Sequence, residues 1–379
     1  MSDWKEYKLG ELIKDIAAGP FGSNLKVECF VESGFPIIDG ANLKGIKVTD
    51  NITKYVTEKK ARSLYRAIAK RNDIVVTISG NVGQIAYIPD NSKYLEYLVS
   101  QRQFRATFDV TKVDVPFLVY YFHTRVGQHK ILSFANQVGV PALAQPIKNF
   151  KEIELELPPI NEQKRIARVL GSLDDKIDLL RRENATLEAM AETLFRQWFV
   201  VNAKEDWEEG KLGDLIDVKY GKDHKKLLDG KIPVIGSGGI MRYADTALYN
   251  KESVLIPRKG TLNNVMYINE PFWTVDTMFY TEMRRPNIAK FVFHFMKCQD
   301  LANMNVGSAV PSMTTEVLNN IPIDIPPQEI FDRFENAVAS LYNKKEQNNK
   351  QIQTLIQTRD GLLPRLMGGG DNVIKTCQK

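Results

Sequence analysis

The feature that most constrains how this chain can fold is an internal repeat. The opening segment 4–13 carries Trp, Lys-Leu-Gly, an acidic residue and Leu-Ile in an order that recurs at 207–216, a constant shift of 203 residues. Residues 35–40 then match 232–236, and Val140-Pro141 matches Val310-Pro311, by which point the shift has fallen to 170. This drift predicts two copies of one scaffold that differ by insertions and deletions in surface loops.

Each copy closes with an alternating apolar-polar strand and a pair of prolines, at 153–159 and 321–327. A long helical pattern follows each pair, over 161 to about 200 and 328 to about 367, with no internal proline until Pro364. We therefore predict an α+β (mixed α/β) protein in which globular domains and long helices alternate. The predicted segments are a first globular domain at 1–157, a central helix at 158–202, a second globular domain at 203–325, a C-terminal helix at 326–368 and a disordered tail at 369–379.

Both helices carry the heptad pattern of a coiled coil. The apolar a and d positions of the heptads form a seam along each helix, and the simplest arrangement is that the two seams of the chain pair with each other. An antiparallel pair would give the chain an internal pseudo-two-fold axis. Asn184 and Asn348 either set the register of this pair or are solvent-facing irregularities, and Lys345 and Arg359 make the second seam more polar. The main predicted coiled-coil residues are Leu173, Ile177, Leu180, Asn184, Leu187, Leu194, Leu341, Ile352, Leu355 and Leu362.

Helices of about 38 residues span on the order of 57 Å at 1.5 Å per residue. A pair of that length would act as a spacer between two domains. Such spacing suits a two-part target whose halves lie about one DNA duplex turn, roughly 34 to 36 Å, or more apart.

The composition limits the class of protein. With 379 residues, 43% of them hydrophobic and 26% charged, the chain suits a soluble protein of two or more domains. Three scattered cysteines, no secretory signal and no apolar stretch near the roughly 20 residues of a membrane span predict a reducing compartment, by default the cytoplasm, with no membrane contact. The net charge of +5 is compatible with a polyanionic partner but does not decide between nucleic acid and no such partner.

The motifs of several enzyme classes do not occur in this sequence. Neither Pro-Pro pair has the Asn/Asp-Pro-Pro-aromatic context of a DNA methyltransferase, and there is no phosphate-binding loop of the G-x-x-x-x-G-K-[ST] type. Ser237 is not in a nucleophile elbow. The four histidines lack the spacing of a zinc site and are predicted to be core or surface residues: His123, His129, His224 and His294. We predict no catalytic residue, no metal site and no cofactor bound by this chain.

Polar, glycine-containing loops recur at similar places in both copies. Arg, Asn and Gln have the donor and acceptor geometry to read base edges, while Lys, Ser and backbone amides next to glycine can hold phosphates. For any single loop, the alternative interpretation is that Gly, Ser and Asn form turns and the lysines a solvated face; the recurrence in both copies favours DNA contact for the set of loops, not for individual residues. The residues predicted to contact DNA are Ser23, Asn24, Lys26, Ser79, Asn81, Gln101, Arg102 and Gln103 in the first copy, and Lys222, Lys225, Lys226, Ser237, Arg242, Arg258, Lys259 and Asn263 in the second.

Two other functions are compatible with these features. One is a duplicated module that binds a different ligand, such as a glycan, and is held together by its own coiled coil; it predicts no salt-dependent affinity for DNA. The other is an enzyme with an unrecognised site in the loops at 79–83 or 257–264, which predicts turnover by the purified chain alone.

The alternation of domain and heptad helix, with Trp-x(3)-Lys-Leu-Gly-[Glu/Asp]-Leu-Ile at the start of each half, resembles the specificity subunit of type I restriction-modification systems, the HsdS family. The strand-Pro-Pro joins and the segment 362–367 are also similar to that family, and the resemblance covers residues 1 to about 368. It implies two target recognition domains that each read one half of a bipartite double-stranded DNA sequence.

The resemblance also implies the partners. The helices at 161–200 and 328–367 would act as the spacer and would dock two methyltransferase (modification) subunits, which a motor-nuclease (restriction) subunit then joins. The chain itself would be non-catalytic, and S-adenosylmethionine, ATP and magnesium would be bound by the partner subunits.

Overall fold

The computed structural model of the chain describes residues 4–136, 140–304 and 312–368. These residues form two compact units. Unit 1 comprises the described residues up to 179 and from 351 to 368, and unit 2 comprises those from 180 to 350. Because each unit takes a part of both long helices, the units do not coincide with the consecutive segments predicted from the sequence, and those domain boundaries remain a prediction.

Among its described residues, unit 1 is built on four β-sheets, two of which have only two strands. Its strands are β1 (Lys5–Lys8), β2 (Ile13–Ala18), β3 (Phe30–Val31), β4 (Phe35–Ile38), β5 (Tyr55–Val56), β6 (Ile68–Lys70), β7 (Ile74–Thr77), β8 (Ile85–Tyr87), β9 (Glu96–Val99), β10 (Gln103–Phe108), β11 (Ala135–Asn136), β12 (Ala142–Leu143) and β13 (Glu154–Leu157). Its short helices are α1 (Glu58–Ser63), α2 (Val115–Phe122), α3 (Arg125–Leu132) and α4 (Pro146–Lys151). The central antiparallel sheet has the order β2-β10-β7-β8, a second sheet has the order β3-β5-β4-β9-β6, and β1 pairs with β13; β11 and β12 add a short hairpin-like pair.

Unit 2 repeats this plan. Its strands are β14 (Glu208–Lys211), β15 (Ile216–Tyr220), β16 (Asp229–Gly236), β17 (Gly239–Ala244), β18 (Ser253–Pro257), β19 (Met266–Ile268), β20 (Trp273–Thr274), β21 (Met278–Met283) and β22 (Pro322–Ile325). Its short helices are α6 (Leu212–Leu215), α7 (Ala289–Cys298) and α8 (Thr315–Asn319). The central sheet has the order β15-β21-β18-β19, the second has the order β17-β16-β20, and β14 pairs with β22.

The predicted duplication and mixed α/β fold are confirmed at the level of strand register. In unit 1 the first strand pairs with the last, Lys5 opposite Leu157, and in unit 2 Glu208 lies opposite Ile325 in the same way. The single parallel pairing in each second sheet also recurs, as β4 with β9 and β16 with β20. Each domain is therefore closed by its own two ends, immediately before the Pro-Pro pair directs the chain into a long helix.

The long helices are α5 (Ile160–Arg196), which continues as a π-helical segment at Gln197–Val201, and α9 (Gln328–Met367), which contains Pro364 in its last turn. Both extents agree with the predicted helical patterns. The helices also contribute to the cores of the domains. Ile166 and Leu170 of α5 and Met367 of α9 are buried in the core of unit 1, and Phe195 and Phe334 are buried in that of unit 2.

Within each unit, α5 and α9 run antiparallel, as predicted. Arg359 Nη1 lies 2.6 Å from Asp174 Oδ1 in unit 1, and Asn348 Nδ2 lies 3.0 Å from Asn184 Oδ1 in unit 2. Of the predicted seam residues, Ile177, Leu180, Asn184 and Ile352 are buried, whereas Leu173, Leu187, Leu194, Leu341, Leu355 and Leu362 are partly exposed. The tail at 369–379 lies outside the described residues, as do parts of two predicted loops, at 137–139 and 305–311.

Candidate nucleic-acid interface

The loops of interest in unit 1 meet at one end of its central sheet. They follow β2 and β7 and precede β8 and β10, and we call residues 19–26, 79–83, 100–103 and 140–143 loop cluster 1. Backbone hydrogen bonds hold it together: Gly19 N–H donates to Gln103 O at 2.8 Å, Ile78 N–H to Arg102 O at 2.8 Å, and Gly80 N–H to Pro141 O at 3.0 Å. Four segments that are distant in sequence thus form one continuous surface.

The first segment of loop cluster 1 is anchored at both ends. Gly19 is so close to the neighbouring loop that a Cβ built on it would lie 1.9 Å from Ser100 O, and Leu25 is buried in the domain core. Between these anchors Ser23 and Asn24 form a 3₁₀ turn, and both are exposed, as is Lys26. These three predicted side chains therefore lie on a surface whose backbone is fixed.

A tight turn places the next set of side chains. Gly80 has a φ of +86°, which glycine adopts without steric cost and which L-residues rarely adopt. The Arg102 guanidinium reaches over it, with Nη1 3.7 Å from the point a Cβ would occupy. Arg102, Gln101 and Asn81 are exposed, and Ser79 is half-buried. Loop cluster 1 therefore presents one arginine side chain and two amide side chains next to serine hydroxyl groups.

Gln103 lies in loop cluster 1 but its side chain is buried, which corrects its predicted role as a direct DNA contact. Only 1% of it is exposed, and its Nε2 lies 3.3 Å from Thr77 Oγ1 while its Oε1 accepts a hydrogen bond from Ser100. Gln103 is the first residue of β10, and its side chain points into the domain. Arg102 directly precedes this strand, and its side chain is exposed. Gln103 is a buried polar support for the loops above it.

Unit 2 holds an equivalent loop cluster 2, formed by residues 219–226, 236–242, 257–264, 274–278 and 312–313. Gly221 N–H donates to Met278 O at 3.0 Å, Arg258 N–H to Thr277 O at 2.8 Å, and Met313 N–H to Arg258 O at 2.9 Å. A Cβ on Gly221 would lie 2.0 Å from Val275 O, and Gly260 has a φ of +87°.

The two clusters share one backbone frame. Gly19 corresponds to Gly221, Ile78 to Arg258 and Arg102 to Thr277, because each pair makes the same hydrogen bond at the same place in the sheet. The glycines with φ of +86° and +87° also correspond, and Leu143 N–H bonds to Ile78 O as Met313 N–H does to Arg258 O. The frame is conserved between the copies while its side chains differ.

The lysines of loop cluster 2 lie on its outer surface. Lys222, Lys225 and Lys226 are exposed, and the main chain beneath them is held by Trp273 Nε1, which donates to Lys222 O at 2.9 Å. Lys259 is exposed on the neighbouring turn. These lysine side chains can contact phosphate groups without breaking the hydrogen bond that holds the main chain beneath them.

The two predicted arginines of unit 2 have partners inside the domain. Arg242 is 3.2 Å from Asp229 Oδ1 and also donates to a main-chain carbonyl, and Arg258 donates to Asp276 O at 3.2 Å and lies over the Tyr220 ring at 5.3 Å. Each must therefore share or exchange these contacts to bind a ligand.

Ser237 and Asn263 also have structural roles. The carbonyl of Ser237 accepts a hydrogen bond from Asn264 Nδ2 at 2.6 Å, and its Oγ lies 3.3 Å from the Cβ position of Gly260. Asn263 Oδ1 accepts from Ala302 N–H at 3.1 Å, although the residue is exposed. The main chain of Ser237 and the side chain of Asn263 thus help to fix turns of loop cluster 2.

An exposed aromatic residue in loop cluster 1 was not predicted. Phe21 is 81% exposed between buried Pro20 and Gly22, and a Cβ on Gly22 would lie 2.7 Å from Gln101 Oε1. Ile240 and Met241 are likewise exposed on the β16–β17 hairpin of unit 2. The sequence signal was the Pro-Phe-Gly triplet in an otherwise polar loop, since a turn rarely needs an aromatic residue.

The side chains of His294 and His123 have partners inside their domains, whereas His224 lies within loop cluster 2. His294 is fully buried next to Tyr342, and burial, assisted by the Lys297 charge, lowers its pKa to about 4. Burial also lowers the pKa of His123, whose Nε2 is 2.8 Å from Ile85 O. Among the described residues no group of three or more His, Cys, Asp or Glu side chains is arranged to hold a metal ion, and no helix is long and apolar enough to cross a membrane.

The fold and the two loop clusters define a duplicated protein in which each copy presents one polar loop surface on a common backbone frame. Comparison with known families makes this specific. The family model of the type I restriction modification DNA specificity domain matches residues 1–189 and 204–354. The chain belongs to this family, as the resemblance in its sequence had indicated.

Relatives match over nearly the whole chain. A type I restriction enzyme specificity subunit of Methanocaldococcus jannaschii is 25% identical, with 97% of this chain and 96% of the relative covered, and the HindI specificity subunit of Haemophilus influenzae is 20% identical, with 97% and 100% covered. The crystal structure of a type I restriction-modification S subunit from M. genitalium superimposes with a TM-score of 0.63 at 18% identity, covering 97% of this chain and 96% of that one. This last similarity establishes a shared fold.

Proposed function

We propose that this chain is the DNA sequence-specificity subunit of a type I restriction-modification complex and that each of its globular domains binds one half of a bipartite DNA target. The observation that carries the proposal is the shared backbone frame of loop clusters 1 and 2, which holds different side chains at equivalent positions. A common frame allows both domains to approach a duplex in the same way, and different side chains allow each to prefer its own base sequence.

The character of the two surfaces supports different half-sites. Loop cluster 1 offers Arg102, Gln101 and Asn81, whose groups can form paired hydrogen bonds with base edges. Loop cluster 2 offers several lysines, which suit phosphates, and exposed apolar residues on the β16–β17 hairpin, which suit thymine methyl groups.

The remaining parts of the proposal concern the partners. In this proposal the α5–α9 pair sets the spacing of the two half-sites and docks two methyltransferase subunits, and a motor-nuclease subunit joins the complex in the cytoplasm. The specificity subunit itself is non-catalytic. The partners bind S-adenosylmethionine, ATP and magnesium and carry out adenine methylation and ATP-driven cleavage.

A genome-wide map of modified bases tests this function. The map is made in a host that carries this gene together with a type I methyltransferase gene, and in the same host with only this gene deleted. We expect a split sequence motif that is methylated in the first strain and unmethylated in the second. Identical maps from an expressed and active methyltransferase would contradict the proposal and favour a ligand other than DNA.

A further inference from the structure

The contacts between α5 and α9 in unit 2 are polar at the centre of the pair. Asn184 and Asn348 are 9% and 1% exposed, and their side chains are hydrogen-bonded at 3.0 Å. Asn184 Nδ2 also donates to Asn349 Oδ1 at 2.8 Å, and Asn348 Nδ2 donates to Glu183 Oε2 at 2.9 Å. Each buried amide is thus satisfied by a group on the other helix.

An ion pair lies one turn further along. Glu188 of α5 pairs with Lys345 of α9 and, at 2.6 Å, with Lys297 of α7. Glu183 of α5 is also 3.7 Å from Lys344 of α9. In each of these two pairs between the long helices, Glu188–Lys345 and Glu183–Lys344, the acid is on α5 and the base is on α9.

Unit 1 repeats this polarity with different residues. Asp174 of α5 receives a hydrogen bond from Arg359 of α9 at 2.6 Å and a second one from Tyr120 of α2. Again α5 supplies the acid and α9 the base. The two cations that made the second seam look irregular, Lys345 and Arg359, are therefore matched by acids on the facing helix.

Because the two helices are copies of each other, the observed α5–α9 pair can be compared with a hypothetical pair of two α5 helices. A shift of 168 residues carries Ile160, where α5 begins, onto Gln328, where α9 begins. In α5 the counterparts of the three polar α9 residues are apolar: Ala191 for Arg359, Leu180 for Asn348 and Ile177 for Lys345. An α5–α5 pair in the same register would place Asp174, Asn184 and Glu188 opposite aliphatic side chains, twice over, and leave them without partners.

A pair of α9 helices would fail for the same reason. The α9 counterparts of the polar α5 residues are Tyr342 for Asp174, Ile352 for Asn184 and Ile356 for Glu188. Only the mixed pair sets amide against amide and acid against base. The two helices have diverged at complementary positions, which is how buried polar residues fix the choice of partner in coiled coils.

We propose that these polar contacts make α5 selective for α9, so that the helix pair joins the two different halves of the chain and excludes α5–α5 and α9–α9 pairing between copies. If the proposed function holds, the consequence is that every assembly carries one domain of each kind and reads an asymmetric target. The selectivity itself is a property of the helices and can be measured without DNA.

The test uses the full chain, cut after folding. A protease site is introduced in the exposed segment 202–206 between α5 and β14, and the folded protein is cut there. Cut protein is mixed with an isotopically heavy copy in mild denaturant, so that halves can exchange, and is then returned to buffer. Native mass spectrometry should find light–heavy complexes of one N-terminal with one C-terminal half, and N-terminal homodimers at least tenfold less abundant.

A matched pair of variants assigns the selectivity to the polar contacts. D174A/N184L/E188I replaces the three acceptors on α5 by residues that an α5 partner can face, and should raise the N-terminal homodimer at least tenfold. R168A/K176L/R182I makes three similar changes at exposed positions of the same helix and should not. Homodimers in the unmodified cut protein in amounts similar to the mixed pair would overturn the proposal, as would an equal response of the two variants.

Discussion

At the scale of single residues, what matters is whether a polar side chain has a partner inside its domain. Arg258 and Arg242 donate to groups of their own domain, and Gln103 is buried, whereas the side chain of Arg102 makes no hydrogen bond or ion pair with the described residues. Arg102 also stands on a fixed backbone, above a glycine turn that gives it room. Of the predicted residues it is the best placed to read a base.

We predict that Arg102→Ala relaxes one position in one half of the DNA target, because the bidentate contact of an arginine with guanine is worth about 1–3 kcal/mol of discrimination. The other half should not change. Lys26→Ala, at an exposed lysine of the same loop cluster, is the control and should weaken binding to all sequences alike, with a shallower salt dependence. Methylation maps of both variants and binding at several salt concentrations provide the measurement. A uniform loss for Arg102→Ala would assign it to a phosphate.

The glycines that pin the loops allow the two clusters to be disabled one at a time. We predict that Gly19→Ala impairs recognition of one half-site and Gly221→Ala that of the other, because each new Cβ would lie about 2 Å from a main-chain carbonyl oxygen and force the loop away.

Matched glycines provide the control for this prediction. Gly45→Ala and Gly171→Ala lie outside both loop clusters, meet no atom within 4 Å and should leave the recognition of both half-sites unchanged. Binding is measured with DNA in which one half-site at a time is scrambled. If Gly19→Ala and Gly221→Ala affected the same half-site, the assignment of one cluster to each half would be wrong.

At the scale of elements, the polar residues of the helix pair contribute stability that depends on pH. Burial would raise the pKa of the Glu188 carboxyl, but the hydrogen bonds from Lys297 and Lys345, and their charges, outweigh it and lower this pKa from 4.5 to about 2. A carboxyl with a lowered pKa stabilises the folded state above its ordinary pKa, and this contribution is lost as the pH falls towards the folded value.

We therefore predict that Glu188→Gln lowers the free energy of unfolding at pH 7 by up to about 3 kcal/mol, from about 1.4 kcal/mol per unit of pKa, and that the difference from wild type shrinks between pH 4.5 and 2. Urea unfolding at pH 7, 4 and 3 measures it. Glu192→Gln is the control, since Glu192 pairs with Arg196 one turn away on the same helix and should shift stability by only a few tenths of a kcal/mol. A difference for Glu188→Gln that is independent of pH would refute the assignment.

Elements with a strong local pattern could be predicted from the sequence, and contacts across the domain could not. The heptads and the strand-Pro-Pro joins located α5, α9, β13 and β22 closely, because periodicity and proline act on the chain locally. The pairing of β1 with β13 and the burial of Gln103 depend on segments about 150 and 25 residues away in sequence, respectively. For the same reason the sequence could not separate the exposed loop side chains from those with a partner in the domain. Arg102 and Arg258 look alike in sequence, and only the fold shows that the Arg258 side chain has such a partner.

At the scale of the whole molecule, the duplication accounts for how a single chain would recognise the two-part target of the proposed function. Each copy closes on itself through the pairing of its first and last strands, so its loops can change without disturbing the other copy. The helices then follow directly from the last strand of each domain. The account predicts that the two specificities are separable along the chain.

An exchange of one domain tests this claim most directly. Residues 1–157 are replaced by the matching segment of a related specificity subunit with a known target, and methylated bases are mapped across the genome of a host that expresses the chimera with its methyltransferase. We predict a split motif in which one half is that of the donor and the other half is unchanged. A motif in which both halves change, or in which neither does while the chimera is folded and methylation is active, would contradict the account.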